Sequence, residues 1–133
     1  MIKNINDFEK VKIDNMRGGE GSIFLQKVTP VLDAMKMYAK ITIPMGSSIG
    51  IHTHEEDEEM IYVLKNKGII IIDGKESVIE EGMISICKKG RNHSIKNIYE
   101  EDLVLLAVVT KYKLMAYVRQ IVNFACIVKI LML

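Results

Sequence analysis

Between Ser22 and Thr110, short apolar runs rich in Ile and Val alternate with clusters of Gly, Asp, Asn, Glu and Lys. This is the pattern of an all-β chain, in which side chains point alternately to two faces and turns interrupt every few residues. Nine runs are predicted strands: 22–28 (SIFLQKV), 36–43 (KMYAKITI), 48–54 (SIGIHTH), 59–64 (EMIYVL), 68–73 (GIIIID), 76–80 (ESVIE), 83–88 (MISICK), 93–98 (HSIKNI) and 103–109 (LVLLAVV). Strands this short, with few helical windows between them, predict a sandwich or barrel. The turn residues agree, since Asp73-Gly74 is a hairpin pair and Asn66 with Gly68 can supply a positive φ. Pro30 and Pro44 both fall outside the central strands.

Two runs, GIIIID and LVLLAVV, are apolar at nearly every position rather than at alternate ones. Such strands are expected to be covered on both faces, and a small barrel covers only one. A homodimer interface is the expected cover, with the N-terminal segment or the tail as alternatives. Met45, Met60 and Met83 read as core fillers, and Tyr38 and Tyr62 as lining either a pocket or an interface. Residues 1–21 read as an N-terminal arm. The stretch MRGGEGSI (16–23) has three glycines but neither the lysine nor the spacing of a phosphate-binding loop, so it is expected to be flexible. In the tail, 111–133, Arg119, Gln120 and Asn123 recur at helical spacing with Val118, Ile121, Val122 and Ala125 around them, which predicts an amphipathic packing helix. A helix of that length would suit a bilayer, but a central Arg119 would cost about 2.5–3.5 kcal/mol there, so a membrane span is disfavoured.

At 133 residues, with 49% apolar and 26% charged, the chain is sized for a single barrel domain, 22–110, between arm and tail. A net charge of +1 gives no broad field for nucleic acid or anionic lipid, and neither a recognition helix nor a basic patch precedes the barrel. Cys87 and Cys126 form no disulfide framework, and the first residues carry no apolar signal stretch, so a cytoplasmic location is expected.

The candidate chemistry lies in HTHEEDEEM (52–60) and around His93. On a strand, His52 and His54 project from the same face. Gly46 is followed after five residues by His52, then His54, then after four more by Glu59, and after six by Asn66. Gly82 is followed after five residues by Lys88, then Gly90, His93 after two more and Asn97 after another three. These two stretches resemble the paired motifs of the cupin superfamily over roughly residues 36–109. Asn66 stands where the family has a closing glycine, and Lys88 where it has a proline. Neither departure touches a metal-binding position.

The resemblance implies a double-stranded β-helix, or jelly-roll barrel, with an apolar C-terminal tail outside it. It also implies His52, His54, Glu59 and His93 as ligands of one divalent transition metal. Three imidazoles and a carboxylate suit Mn, Fe, Co, Ni or Zn and leave one or two positions for water or a small-molecule ligand or substrate. The expected function is a small metal-dependent enzyme of dioxygenase, decarboxylase or isomerase type, acting on a small oxygen-rich molecule. The alternative is a non-catalytic binding or sensor module. Strand parity favours Glu59, which shares a face with Ile61 and Val63; Glu58 meets the shorter family spacing and remains its rival, while the other acids of the run read as a solvated turn. Ile61, Val63, Tyr38 and Cys87 are the candidate pocket-lining residues. Arg91, the arginine nearest a motif, reads as solvated, and Asn97 as tying down a turn. The aliphatic character of the inward residues favours a small ligand over a sugar phosphate.

Overall fold

All nine runs form strands, and a tenth precedes them. The computed structural model describes residues 1–112 together with 120, 121, 123, 124, 127–129 and 131. The strands are β1 (Lys10–Asp14), β2 (Ser22–Lys27), β3 (Met35–Ile43), β4 (Ser48–Thr53), β5 (Asp57–Lys65), β6 (Lys67–Ile72), β7 (Lys75–Glu80), β8 (Ile84–Cys87), β9 (Asn92–Lys96) and β10 (Leu103–Lys111). They make a six-stranded sheet in the order β1-β2-β3-β10-β5-β8 and a four-stranded sheet in the order β4-β9-β6-β7. Every pairing among the described residues is antiparallel. The result is a jelly roll whose core lies between the sheets: Ile23, Leu25, Ile41, Ile43, Val63, Leu103 and Leu105 from the larger, Ile49, Ile70, Ile79 and Ile95 from the smaller.

The substitution of the closing glycine in the first motif is accommodated by backbone conformation. Asn66 adopts φ 64° and so makes the left-handed turn that glycine would make. Its side-chain amide also donates to the carbonyl of Asp102 at 2.7 Å. Asn97 is 1% exposed, donates to the carbonyls of Ile43 and Glu101, and accepts from the Tyr99 amide, so it ties down the 97–101 turn, as expected, and fastens it to the end of β3.

The structure corrects three expectations. The N-terminal residues do not form a loose arm: β1 pairs with β2 from Lys10 opposite Gln26 to Asp14 opposite Ser22, and Ile13 packs against the core. Its run KVKID holds only two apolar residues, too few to stand out as a strand. Met45, Met60 and Met83 are not core fillers but 58%, 45% and 44% exposed, because Met60 has outward parity on β5 and the other two sit in turns. Finally, β10 is covered unequally. Leu103, Leu105, Ala107 and Val109 are buried, while Val104, Leu106 and Val108 are half-buried on the outer face.

The outward side chains join across strands by register. Val108, Met60 and Ile86 form one row, and Leu106, Tyr62 and Ile84 the next. The helix expected in the tail rests on Val118, Arg119, Val122 and Ala125, which lie outside the described residues. Among the described residues, no helix is long and apolar enough to cross a membrane.

Leu105 is fully buried between the sheets. Leu105→Ala is expected to lower the unfolding free energy by about 2–5 kcal/mol, measured by urea denaturation.

Candidate metal centre

His52 and His93 sit opposite each other on β4 and β9 of the smaller sheet, and Glu59 faces them from β5 of the larger. His54 follows the end of β4. Its amide donates to the carbonyl of Arg91 and its own carbonyl accepts from the Gly90 amide, which clamps it to the turn before β9. Simple alternation along β4 would put Ile49 and His52 on opposite faces. The β4–β9 register slips between them: Ile49 pairs with Ile95, yet His52 pairs with His93, so β4 carries one extra residue. This bulge at Gly50 and Ile51 turns both Ile49 and His52 inward and leaves Ile51 64% exposed.

The four predicted ligands converge, with one donor atom from each lying within 4.8 Å of all the others. Glu59 Oε2 is 3.0 Å from His54 Nε2, 2.9 Å from His93 Nε2 and 4.0 Å from His52 Nε2. His93 Nε2 is 3.1 Å from His54 Nε2 and 3.0 Å from His52 Nε2. A metal bound at about 2.1 Å to octahedral donors sets neighbours about 3.0 Å apart and opposite donors about 4.2 Å apart. Several of the donor spacings are close to the neighbour distance, so the donor set is compatible with a divalent metal.

Glu59, not Glu58, is the acid that faces inward. Glu59 is 8% exposed, whereas Glu58 points to the other side of the sheet, where it accepts from the Lys89 amide at 3.4 Å. Burial works against the Glu59 charge, but hydrogen bonds from His54 and His93 outweigh it and hold its pKa down to about 2. Its hydrogen bond to Glu59 raises the His54 pKa, helped by Asp57 and opposed by burial. Burial lowers that of His52, whose Nδ1 donates to the Gly50 carbonyl at 2.8 Å, leaving Nε2 free to coordinate.

The acidic run contains a second functional residue that reading it as a solvated turn missed. Asp57 opens β5 and lies 2.6 Å from His54 Nδ1 and 2.6 Å from Lys36 Nζ. Burial opposes its ionisation, yet the bonds from Lys36 and His54 prevail and lower its pKa. Asp57 therefore orients His54, with Lys36 balancing its charge. The signal in the chain was its position three residues after His54.

The donors border a cavity of about 110 Å³, whose remaining wall is mostly apolar: Met16, Met37, Ile41, Ile49, Ile61, Ile95 and Val109, with Ser94 and Arg17. Of the candidate lining residues, Ile61 lies on this wall. Val63 is deeper in the core. Cys87 is buried opposite Glu59 in the β5–β8 register, its thiol pushed up to about 11 by burial and by the Glu59 charge. Tyr38 faces outward, opposite Val108. Arg91 pairs with Asp73 at 2.9 Å and is largely solvated. Met16 and Arg17 reach the cavity from before the first predicted strand, a placement no local pattern signals.

Fold and donor set define a metal-competent jelly-roll barrel. The chain belongs to the cupin family, the Cupin domain model matching residues 39–109. An oxalate-binding protein of Thermotoga maritima is 32% identical over 112 residues, covering 82% of this chain and 93% of that protein. An uncharacterised protein of Methanocaldococcus jannaschii is 26% identical over 89 residues, covering 65% and 71%. Among solved structures, a Thermotoga maritima protein described as a predicted oxalate decarboxylase superposes with a TM-score of 0.79 at 30% identity, over 84% of this chain and 99% of that one. KdgF from Halomonas sp. shares the fold, with a TM-score of 0.65 at 13% identity, over 80% and 89%.

Metal content after purification tests the donor assignment. Glu59→Ala is expected to lose at least about tenfold in metal affinity, since it removes a ligand and leaves the imidazoles without their counter-charge, while Glu58→Ala keeps the metal content of the unaltered chain.

Proposed function

We propose that the protein holds one divalent transition metal on His52, His54, Glu59 and His93 and uses it to bind a small chelating carboxylate of the oxalate class. The convergence of the four donors carries this reading. Four donors leave two of six octahedral positions, the number a bidentate carboxylate occupies. The cavity supports the same size class: at about 110 Å³ it is smaller than pockets that take drug-sized ligands. The oxalate-binding relative agrees in ligand class.

The family resemblance allows a dioxygenase, decarboxylase or isomerase as well as a binding module. The lining favours binding. Decarboxylating oxalate to formate requires a proton at the new C–H bond, and the two acids among the described lining residues, Asp57 and Glu59, are already engaged by His54, Lys36 and His93. Calorimetric titration of the manganese-loaded protein with oxalate is expected to show one site per chain, absent after the metal is stripped, with no formate or carbon dioxide released. Absence of oxalate binding by fully loaded protein would remove the reading, and metal-dependent formate release would replace it with the decarboxylase.

A second copy of the chain is the proposed cover for the outer face of the larger sheet. Tyr62, Ile84, Ile86 and Met60 are 42%, 59%, 50% and 45% exposed in two apolar rows that run out to β8, the edge strand. Such a patch on an edge favours a self-complementary two-fold contact. Light scattering is expected to report a dimer at micromolar concentration, and the Ile84→Asp, Ile86→Asp double variant a folded monomer; a monomer from the unaltered chain would rule the contact out.

A further inference from the structure

Arg17, an exposed residue, borders the metal cavity although it precedes the first ligand by 35 residues in the chain. Its placement is built in detail. Asn15 and Arg17 both adopt left-handed backbone, φ 49° and 54°, an uncommon conformation for residues other than glycine. The turn is closed by the Gly18 amide donating to the Asn15 carbonyl at 3.0 Å and the Gly19 amide donating to the Met16 carbonyl at 2.9 Å. The Asn15 side-chain amide adds a bond to the Gly19 carbonyl.

Beyond the turn, the Glu20 amide donates to Ser48 Oγ at 2.8 Å, and the Ser48 amide donates back to the Glu20 carbonyl at 2.9 Å, which ties the segment to β4. Gly19 and Gly50 complete the seat. A Cβ on Gly50 would collide with the carbonyl oxygen of Arg17, and one on Gly19 with that of Ser48, so only glycine at both places lets the two backbones meet.

We propose that Arg17 is the residue that selects a dianionic carboxylate over a monoanion at this centre, its guanidinium holding the carboxylate oxygens that the metal does not. The proposal rests on the small-carboxylate reading above. Charge balance is its main support. A divalent metal with the Glu59 carboxylate leaves one net positive charge, which a monocarboxylate neutralises and a dicarboxylate overshoots by one. Asp57 and Lys36 already cancel each other. The apolar wall offers nothing to compensate the surplus, and an unbalanced charge in such surroundings is costly. Arg17 restores neutrality, and its planar fork matches a carboxylate edge. Among the described residues it has no carboxylate partner of its own.

The experiment is calorimetric titration of manganese-loaded full chains, unaltered, Arg17→Ala and Arg17→Gln, with oxalate and separately with formate. Manganese affinity and thermal melting are measured on the same samples. Both variants are expected to bind oxalate about 10- to 100-fold more weakly, formate within about threefold of the unaltered chain, and manganese equally. Arg17→Gln keeps the length of the side chain and guards against a folding effect of the alanine. Oxalate affinity unchanged in both variants, or oxalate and formate weakened alike, would overturn the role of Arg17 while leaving the carboxylate reading intact. An unaltered, manganese-loaded chain that binds no oxalate would overturn both.

Discussion

Inside a barrel of aliphatic side chains stands a carboxylate that is 8% exposed, Glu59, and its charge is the constraint around which the centre is organised. A buried charge without partners costs several kcal/mol, so the fold must bring donors to it or leave it protonated. It brings His54 and His93 within 3.0 Å, and His52 within 4.0 Å, from the far sheet. The two sheets are thereby joined here by polar contacts, and elsewhere by the apolar core that Ile43, Val63, Leu103 and Leu105 of the larger sheet share with Ile70, Ile79 and Ile95 of the smaller. The hydrogen bond to Glu59 raises the proton affinity of His54, so protons and a metal ion would compete for that nitrogen.

Gly50 is where this centre meets the N-terminal segment. Its carbonyl accepts from His52 Nδ1, which settles the tautomer; it lies in the bulge that turns His52 inward; and its missing side chain admits the backbone of Arg17 and Gly19. Three demands fall on one position, and each would fail differently. A side chain there would push the turn away even if His52 kept its hydrogen bond, so the wall contributed by Met16 and Arg17 depends on the strand that carries the metal donors.

Strands and donors were legible in the chain because each is a local property. Alternation over five or six residues marks a strand, and the spacings from Gly46 to Asn66 and from Gly82 to Asn97 each lie within two consecutive strands and their connection. Parity separated Glu59 from Glu58 for the same reason. Three things resisted this reading. The β1 run has too little apolar content to stand out. The bulge at Gly50 changes parity without a sequence signature beyond one glycine. Asp57 was hidden among neighbouring acids that look alike in sequence and differ in where they fall before or along β5.

Ligand choice is less legible than metal choice, and the geometry says why. The donors all fall between His52 and His93, inside the two motifs. Much of the cavity wall does not: Met16 and Arg17 come from the N-terminal turn, Met37 and Ile41 from β3, and Val109 from β10. These segments become neighbours only when β10 is inserted between β3 and β5 and the turn docks on β4. A related barrel can therefore keep all four donors and alter its ligand entirely through residues outside the motifs. Here Met16 and Met37 contribute apolar wall and Arg17 a cation at its exposed edge, so what distinguishes this cavity lies in the parts of the chain where local pattern is silent.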